Sequence, residues 1–114
     1  MVIDSTQLDK VFGALSDATR RGILAQLAHG NANVAQLAKP HDMSQPAITK
    51  HLKVLEAAGL VHRWKVGRET HVRARPDVAE EAAAWIATYA QFWQSHFDAV
   101  DQILTQNRSD QDDC

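Results

Sequence analysis

Between Ser44 and Gly59 the apolar positions recur with the period of a helix. At about 100° per residue, Ile48, Leu52 and Leu55 fall in one narrow stripe, the kind of face a helix buries. Pro46, Thr49, Lys50 and Lys53 lie roughly opposite, with Gln45 in the exposed first turn, and no acid interrupts this face before Glu56. The ends are marked as well. Ser44 offers an N-cap hydroxyl, Pro46 sits where a missing N–H costs nothing, and Gly59 can take the left-handed conformation that stops a helix. The pattern predicts a helix whose outward face is short, polar and basic. Such a face suits the major groove of duplex DNA, its N-terminal half toward the base edges.

The same reading places the other elements. Asp4 or Ser5 opens a short helix with Leu8, Val11, Phe12 and Leu15 at core spacing, and Ser16-Asp17 caps the next. That second helix turns Thr19, Ile23, Leu24 and Leu27 inward and Arg20-Arg21 outward, and His29-Gly30-Asn31 ends it. Asn33 caps a short helix carrying Val34 and Leu37, which Pro40 ends, and His41-Asp42-Met43 leads into the basic helix. Two short helices joined by about four residues, the second basic and well capped, form a helix-turn-helix pattern. After Gly59 the period changes. Residues 61–65 and 69–74 are β-prone runs on either side of Val66-Gly67-Arg68, a hairpin with glycine in its turn. Lys65 and Arg68 mark its tip and Arg63 and Arg73 lie farther back, which makes it a basic wing beside the helix.

From Pro76-Asp77 the chain predicts one long helix. Ala82, Trp85, Tyr89, Phe92, His96, Ala99 and Ile103 form one apolar stripe, and Ala79, Ala83, Ile86, Ala90, Trp93, Phe97, Val100 and Leu104 the next. Two adjacent stripes over about 28 residues, on the order of 40 Å, exceed what a body this small can cover. One stripe is expected on the chain's own domain and the other on a second copy, with Trp85, Tyr89, Phe92, Trp93, His96, Val100 and Ile103 at the interface. The domain is expected to span residues 1–106, its dimerisation helix at about 77–106, and residues 107–114 form a disordered acidic tail.

Composition narrows the class. With 45% apolar and 23% charged residues in 114, this is one globular domain with a modest core, and no run is long enough for a membrane helix. No signal peptide is expected from Met1–Ser5, and the single Cys114 allows no internal disulfide, so the cytoplasm is the expected location. The net charge of −2 conceals a strong asymmetry. Residues 44–75 hold seven Lys and Arg against two acids, whereas residues 76–114 hold eight acids against Arg108. Local field matters more than the total, and it puts phosphates on the 44–75 segment.

Catalytic and metal chemistry find no foothold. There is no phosphate-binding glycine loop and no nucleophile–base pair, so no enzyme, catalytic residue or cofactor is expected. Among the histidines, His51 flanks the buried stripe and serves a structural bond or a phosphate. His96 lies in the dimer stripe, and His29 and His41 are loop residues. His62 and His71 would face each other across a two-residue hairpin turn, a chance pairing from which no metal site is expected.

Three motifs occur in order: Phe12-Gly13-Ala14-Leu15-Ser16-Asp17-Ala18-Thr19-Arg20-Arg21-Gly22-Ile23-Leu24, Ser44-Gln45-Pro46-Ala47-Ile48-Thr49-Lys50-His51-Leu52-Lys53-Val54-Leu55, and Ala58-Gly59-Leu60-Val61. Together they resemble the ArsR/SmtB family of bacterial winged helix-turn-helix repressors over about residues 8–105. The resemblance implies a homodimeric repressor on a two-fold operator, often near its own promoter. It does not extend to the metal sites of the family's best-known members. Where those carry Cys-x-Cys in the third helix this chain has Asn33-Val34-Ala35. Where others carry Asp-x-His and His-x-x-Glu on the last helix it has Pro76-Asp77-Val78 and Tyr89-Ala90-Gln91-Phe92. The chain is similar to the branch without a recognised metal site.

The expected protein is therefore mainly α: a winged helix-turn-helix of about five helices and a two-stranded hairpin wing, dimerising through its last helix and binding double-stranded DNA. Gln45, Thr49 and Lys50 are expected at base edges with Ser44 and Pro46 adjoining. His51, Lys53, Arg63, Lys65, Arg68 and Arg73 complete the DNA surface. A winged-helix module that binds another protein is the competing reading; it would want apolar residues where Lys50 and Lys53 stand. Release by a small-molecule effector between the aromatic-rich helices, or by none, both fit the sequence.

Overall fold

Helix α4, Gln45–Ala57, is built as its pattern predicts. Ile48, Leu52 and Leu55 are each 0% exposed at the centre of the core. The Ser44 hydroxyl accepts from the Ala47 N–H at 3.3 Å, and Pro46 lies in the first turn. At the other end the Gly59 N–H donates to the Glu56 carbonyl (2.9 Å) and the Leu60 N–H to the Leu55 carbonyl (3.0 Å). That pair of bonds is a Schellman close, and it requires the left-handed φ of +81° that Gly59 adopts. Leu60, just past it, is buried in turn.

The computed structural model describes residues 3–112, with side chains through Thr105. Helices α1 (Ser5–Leu15) and α2 (Ala18–Leu27) are capped by Asp4 and Asp17, whose carboxylates accept from the Gln7 and Arg20 N–H groups at 2.7 and 3.0 Å. Their buried residues are Val11, Ala14, Ile23 and Leu27. Two expectations change here. Phe12 is 37% exposed, because the inward face of α1 runs through Val11 and Ala14. Arg20 is half-buried instead of pointing outward, and both it and the exposed Arg21 reach back to α1. Arg20 donates from Nε to the Ala14 carbonyl (2.7 Å) and from Nη2 to that of Gly13 (3.1 Å), and Arg21 from Nη1 to that of Leu15 (2.8 Å). Two cations thus satisfy carbonyls that α1 leaves open at its C-terminus.

Helix α3, Val34–Ala38, is closed at its start by a reciprocal box: Asn33 Oδ1 accepts from the Gln36 N–H (2.8 Å) and Gln36 Oε1 from the Asn33 N–H (2.9 Å). A single 3-10 turn, Lys39–His41, and a left-handed Asp42 (φ +52°) carry the chain into α4, completing the helix-turn-helix.

The sheet has three strands, not the two expected. Strands β2 (Val61–Val66) and β3 (Glu69–Ala74) form the hairpin, with Gly67 at φ +62° in its two-residue turn. Strand β1, Ala32–Asn33, adds to the other edge of β3, opposite Val72 and His71. Val61 and Val72 are buried, so one face of the hairpin closes on the core. The register also corrects the histidine pairing. His71 lies opposite Trp64 and His62 opposite Arg73. The Trp64 ring lies between the two imidazoles, with centroids at 5.9 Å from His62 and 5.8 Å from His71.

Helix α5 runs from Pro76 to Asp112. The chain divides into two units, residues 1–82 and 83–114. In the first, Val78 and Ala82 join the core. In the second, every described residue from 83 to 105 is exposed, so both apolar stripes of this stretch stand open. Of the tail expected to be disordered at 107–114, residues 107–112 continue α5 and residues 113–114 lie outside the described residues.

Gly59→Ala should lower stability by more than about 1 kcal/mol. Its Cβ would lie 3.1 Å from Val78 Cγ2 in a backbone conformation that penalises any side chain. Leu52→Ala should cost about 2–5 kcal/mol. Urea unfolding with an unchanged m-value would check both.

Candidate nucleic-acid interface

With the Ile48-Leu52-Leu55 stripe buried, Gln45, Pro46, Lys50 and Lys53 are fully on the outside and Thr49 is half-buried among them. Thr49 Oγ1 donates to the Gln45 carbonyl at 2.9 Å. Its hydrogen is committed to the helix, while its methyl and oxygen lone pairs remain to meet a base edge. Ser44 is likewise exposed but its hydroxyl already accepts as the N-cap.

The wing stands against the start of this helix. Gln45 and Thr49 of α4, Arg68, Glu69 and Thr70 of the hairpin, and Asn33 and Ala35 before and within α3 line one open cleft of about 260 Å³. Arg68 therefore lines the same cleft as Gln45 and Thr49. Asn33 and Thr70 enter this surface unforeseen: the β1–β3 pairing brings Asn33 beside the hairpin, and Thr70 lies opposite Lys65 within it. Lys39 shares a second open groove with Met43, Ser44 and Gln45 and was also missed; it lies in the turn, outside the helical pattern.

Strand alternation separates the remaining cations. Arg63 and Lys65 lie opposite Val72 and Thr70, on the face that turns toward α4, whereas Arg73 pairs with His62 on the other face. Arg73 is not gathered with the rest. Arg63 is engaged inside the protein: Nη2 meets Glu56 Oε1 at 3.0 Å, and its backbone N–H donates to Glu56 Oε2 at 3.2 Å. The guanidinium bond holds the Glu56 carboxyl below the usual carboxylate range, against the opposing effect of partial burial. Arg63, expected at a phosphate, thus has its backbone N–H and Nη2 both engaged by Glu56.

His51 is similarly placed, its Nδ1 at 3.7 Å from Asp17 Oδ2 and 3.5 Å from Arg20 Nη1. Asp17 is held below its ordinary pKa first by the Arg20 backbone N–H it caps. This cluster joins α4 to the start of α2, which makes the structural role of His51 the one with partners. His41 also has a partner, its Nε2 at 2.8 Å from Gln26 Oε1. A Cβ at Gly22 would lie 2.6 Å from the His41 ring, so glycine there makes room for the turn.

In the second unit, Trp85, Tyr89, Phe92, Trp93, His96, Val100 and Ile103 are all exposed, as are Ile86, Phe97 and Leu104 between them. Phe92 is 64% and Ile103 59% exposed. The rings contact one another along the helix, Trp85 stacking on Tyr89 at 5.3 Å and His96 lying edge-on to Trp93 at 5.8 Å. Among the described residues, no group of three or more His, Cys, Asp and Glu converges as metal ligands would, and no helix is long and apolar enough to cross a membrane.

A capped recognition helix in a helix-turn-helix, flanked by a basic wing, defines a winged-helix DNA-binding fold. Residues 17–63 match the family described as bacterial regulatory protein, arsR family. The chain is 33% identical over 96 residues to the arsenical resistance operon repressor of Escherichia coli (strain K12), covering 83% of this chain and 80% of that one. It is 49% identical over 53 residues to the HTH-type transcriptional regulator Rv2034 of Mycobacterium tuberculosis, where the match spans half of that relative's length. Among solved structures, an ArsR-like transcriptional regulator from Rhodococcus sp. RHA1 superposes with a TM-score of 0.72 at 38% identity, covering 86% of this chain and 92% of that one. A homodimeric winged helix-turn-helix DNA-binding domain from Mycobacterium bovis gives 0.62 at 27% identity, covering 80% and 85%. The protein belongs to the ArsR family of transcriptional regulators.

The lowered Glu56 pKa carries a sign. A depressed folded-state pKa contributes stability that is present above the unfolded value near 4.5 and is lost as pH falls through the folded value. Wild type should therefore exceed Glu56→Gln in stability at pH 7, by less than about 1 kcal/mol for a pair that water still partly reaches. The difference should close as the pH drops below the folded pKa. Urea midpoints at pH 7 and at acid pH measure it.

Proposed function

We propose that this regulator is a homodimeric repressor that works in the cytoplasm on a two-fold operator, each subunit laying α4 in the major groove and its wing alongside. The observation that carries the reading is the cleft that brings Gln45 and Thr49 together with Arg68. In this reading Gln45, Thr49 and Lys50 meet base edges, with Ser44 and Pro46 adjoining, because an amide, a methyl with lone pairs and an ammonium are the groups that discriminate there. Lys53, Lys65 and Arg68 meet phosphates, and Lys39 joins them. The second copy is supported by the exposed aromatic row of residues 85–104, an apolar surface of a size that soluble proteins cover. It is supported too by the homodimeric Mycobacterium bovis relative. Repression is supported by the Escherichia coli relative, itself named a repressor.

Fluorescence anisotropy on the protein's own upstream intergenic DNA and on a scrambled control, at two salt concentrations, tests the reading. A preference of about tenfold or more for the upstream fragment is expected; equal binding to both, or none, contradicts it. Lys65→Ala should weaken both DNAs alike and flatten the salt slope by about one unit. Gln45→Ala should instead lose about 1–3 kcal/mol of discrimination per site. Phe92→Asp with Ile103→Asp should convert a dimer to a monomer in analytical ultracentrifugation, and a dimer that persists would remove α5 from the interface.

A further inference from the structure

We infer that Glu56 and Arg63 are positioning residues for DNA recognition: their ion pair sets the angle at which the wing leaves the recognition helix. The inference rests on the reading of this face as the DNA surface and adds to it a part that touches no DNA.

Glu56 stands where local rules disfavour it. It is in the last turn of α4, where a negative charge opposes the helix dipole, and the helix end is already closed by Gly59 and Leu60. What the carboxylate does instead is grip one residue of β2 twice, through the Arg63 backbone N–H and through its guanidinium. Among the described residues this is the one side-chain hydrogen-bonded link between α4 and the hairpin. Arg63 Nε is buried and has no hydrogen-bond partner among the described residues, so this guanidinium is partly withdrawn from solvent. A freely solvated surface pair would not show this.

The link is also placed where it has leverage. Val61 and Val72 anchor the hairpin base in the core, while Lys65, Val66, Gly67, Arg68 and Glu69 are all exposed beyond Arg63. At about 3.3 Å per residue, the four steps from Arg63 to Gly67 span roughly 13 Å, so a tilt of about 10° at the link moves the tip by about 2 Å. That displacement takes a phosphate contact from Arg68 out of hydrogen-bond range, and Lys65, two residues from the link, moves by about half as much. The ion pair thus holds the wing cations in register with Gln45 and Thr49.

Two measurements test this. The first needs no DNA: amide hydrogen exchange in Glu56→Ala and Glu56→Gln should speed up at Arg63–Val66 and leave the Leu52 amide unchanged. Wild-type exchange along the wing in both variants would overturn the proposal. The second is anisotropy on the upstream fragment. Glu56→Ala should weaken binding about tenfold and make the salt slope shallower by about two, one for each wing cation released. In that background, Lys65→Ala should add little. A wild-type slope with a full Lys65→Ala effect would make the pair a fold element alone and defeat the inference. If the wild-type protein ignores the upstream fragment, it is the DNA reading that fails, and the recognition role with it, while the exchange data still decide whether the pair holds the wing.

Discussion

Ile48, Leu52 and Leu55 lose all exposure to water, and with that stripe buried α4 has only one way to lie. Burying three large aliphatic side chains favours this arrangement by several kcal/mol, far more than any single surface charge contributes. Everything about the outward face follows from it. Gln45, Thr49, Lys50 and Lys53 need no interactions of their own to be presented together, because they are what remains once the apolar residues are inside. The caps at Ser44 and Gly59 then fix the helix ends, so the presented face has a definite start as well as a direction.

The charges are arranged around that constraint. Cations that could have crowded the surface are spent internally: Arg20 and Arg21 close the end of α1, and Arg63 is held by Glu56. The exposed cations left on this side are Lys39, Lys50, Lys53, Lys65 and Arg68, spread over the turn, the helix and the wing. A net charge of −2 is compatible with binding a polyanion because the acids are concentrated after residue 76. Nearby charge, not the sum over the chain, sets the potential a phosphate meets within a Debye length of about 8 Å.

Much of this was legible in the sequence, for a physical reason in each case. Helix ends were readable because capping is local: Asp4, Asp17, Asn33, Ser44 and Gly59 each act within three residues of themselves. The α4 stripe was readable because its period is that of one helix. What stayed hidden depended on distant partners. Strand β1 has two residues and owes its existence to β3, nearly forty positions away, so Asn33 could not be placed in the cleft. Arg63 has the same side-chain chemistry as Arg68, and only the fold reveals that Glu56 occupies it. The His62–His71 pairing failed on register, since a shift of two residues in the partner puts Trp64 between the rings. Phe12 was misplaced because apolar character does not say which of two adjacent residues faces in, and here Val11 does.

The most direct test of the central claim is a hydroxyl-radical footprint of the protein on its upstream DNA. A buried apolar stripe that aims one helix per subunit at a major groove, in a two-fold dimer, predicts two symmetric protected patches. Their centres should be separated by whole turns of about 10 base pairs, with weaker protection outside each from the wing. A single unsymmetric patch, or protection spread evenly without helical phase, would contradict the account.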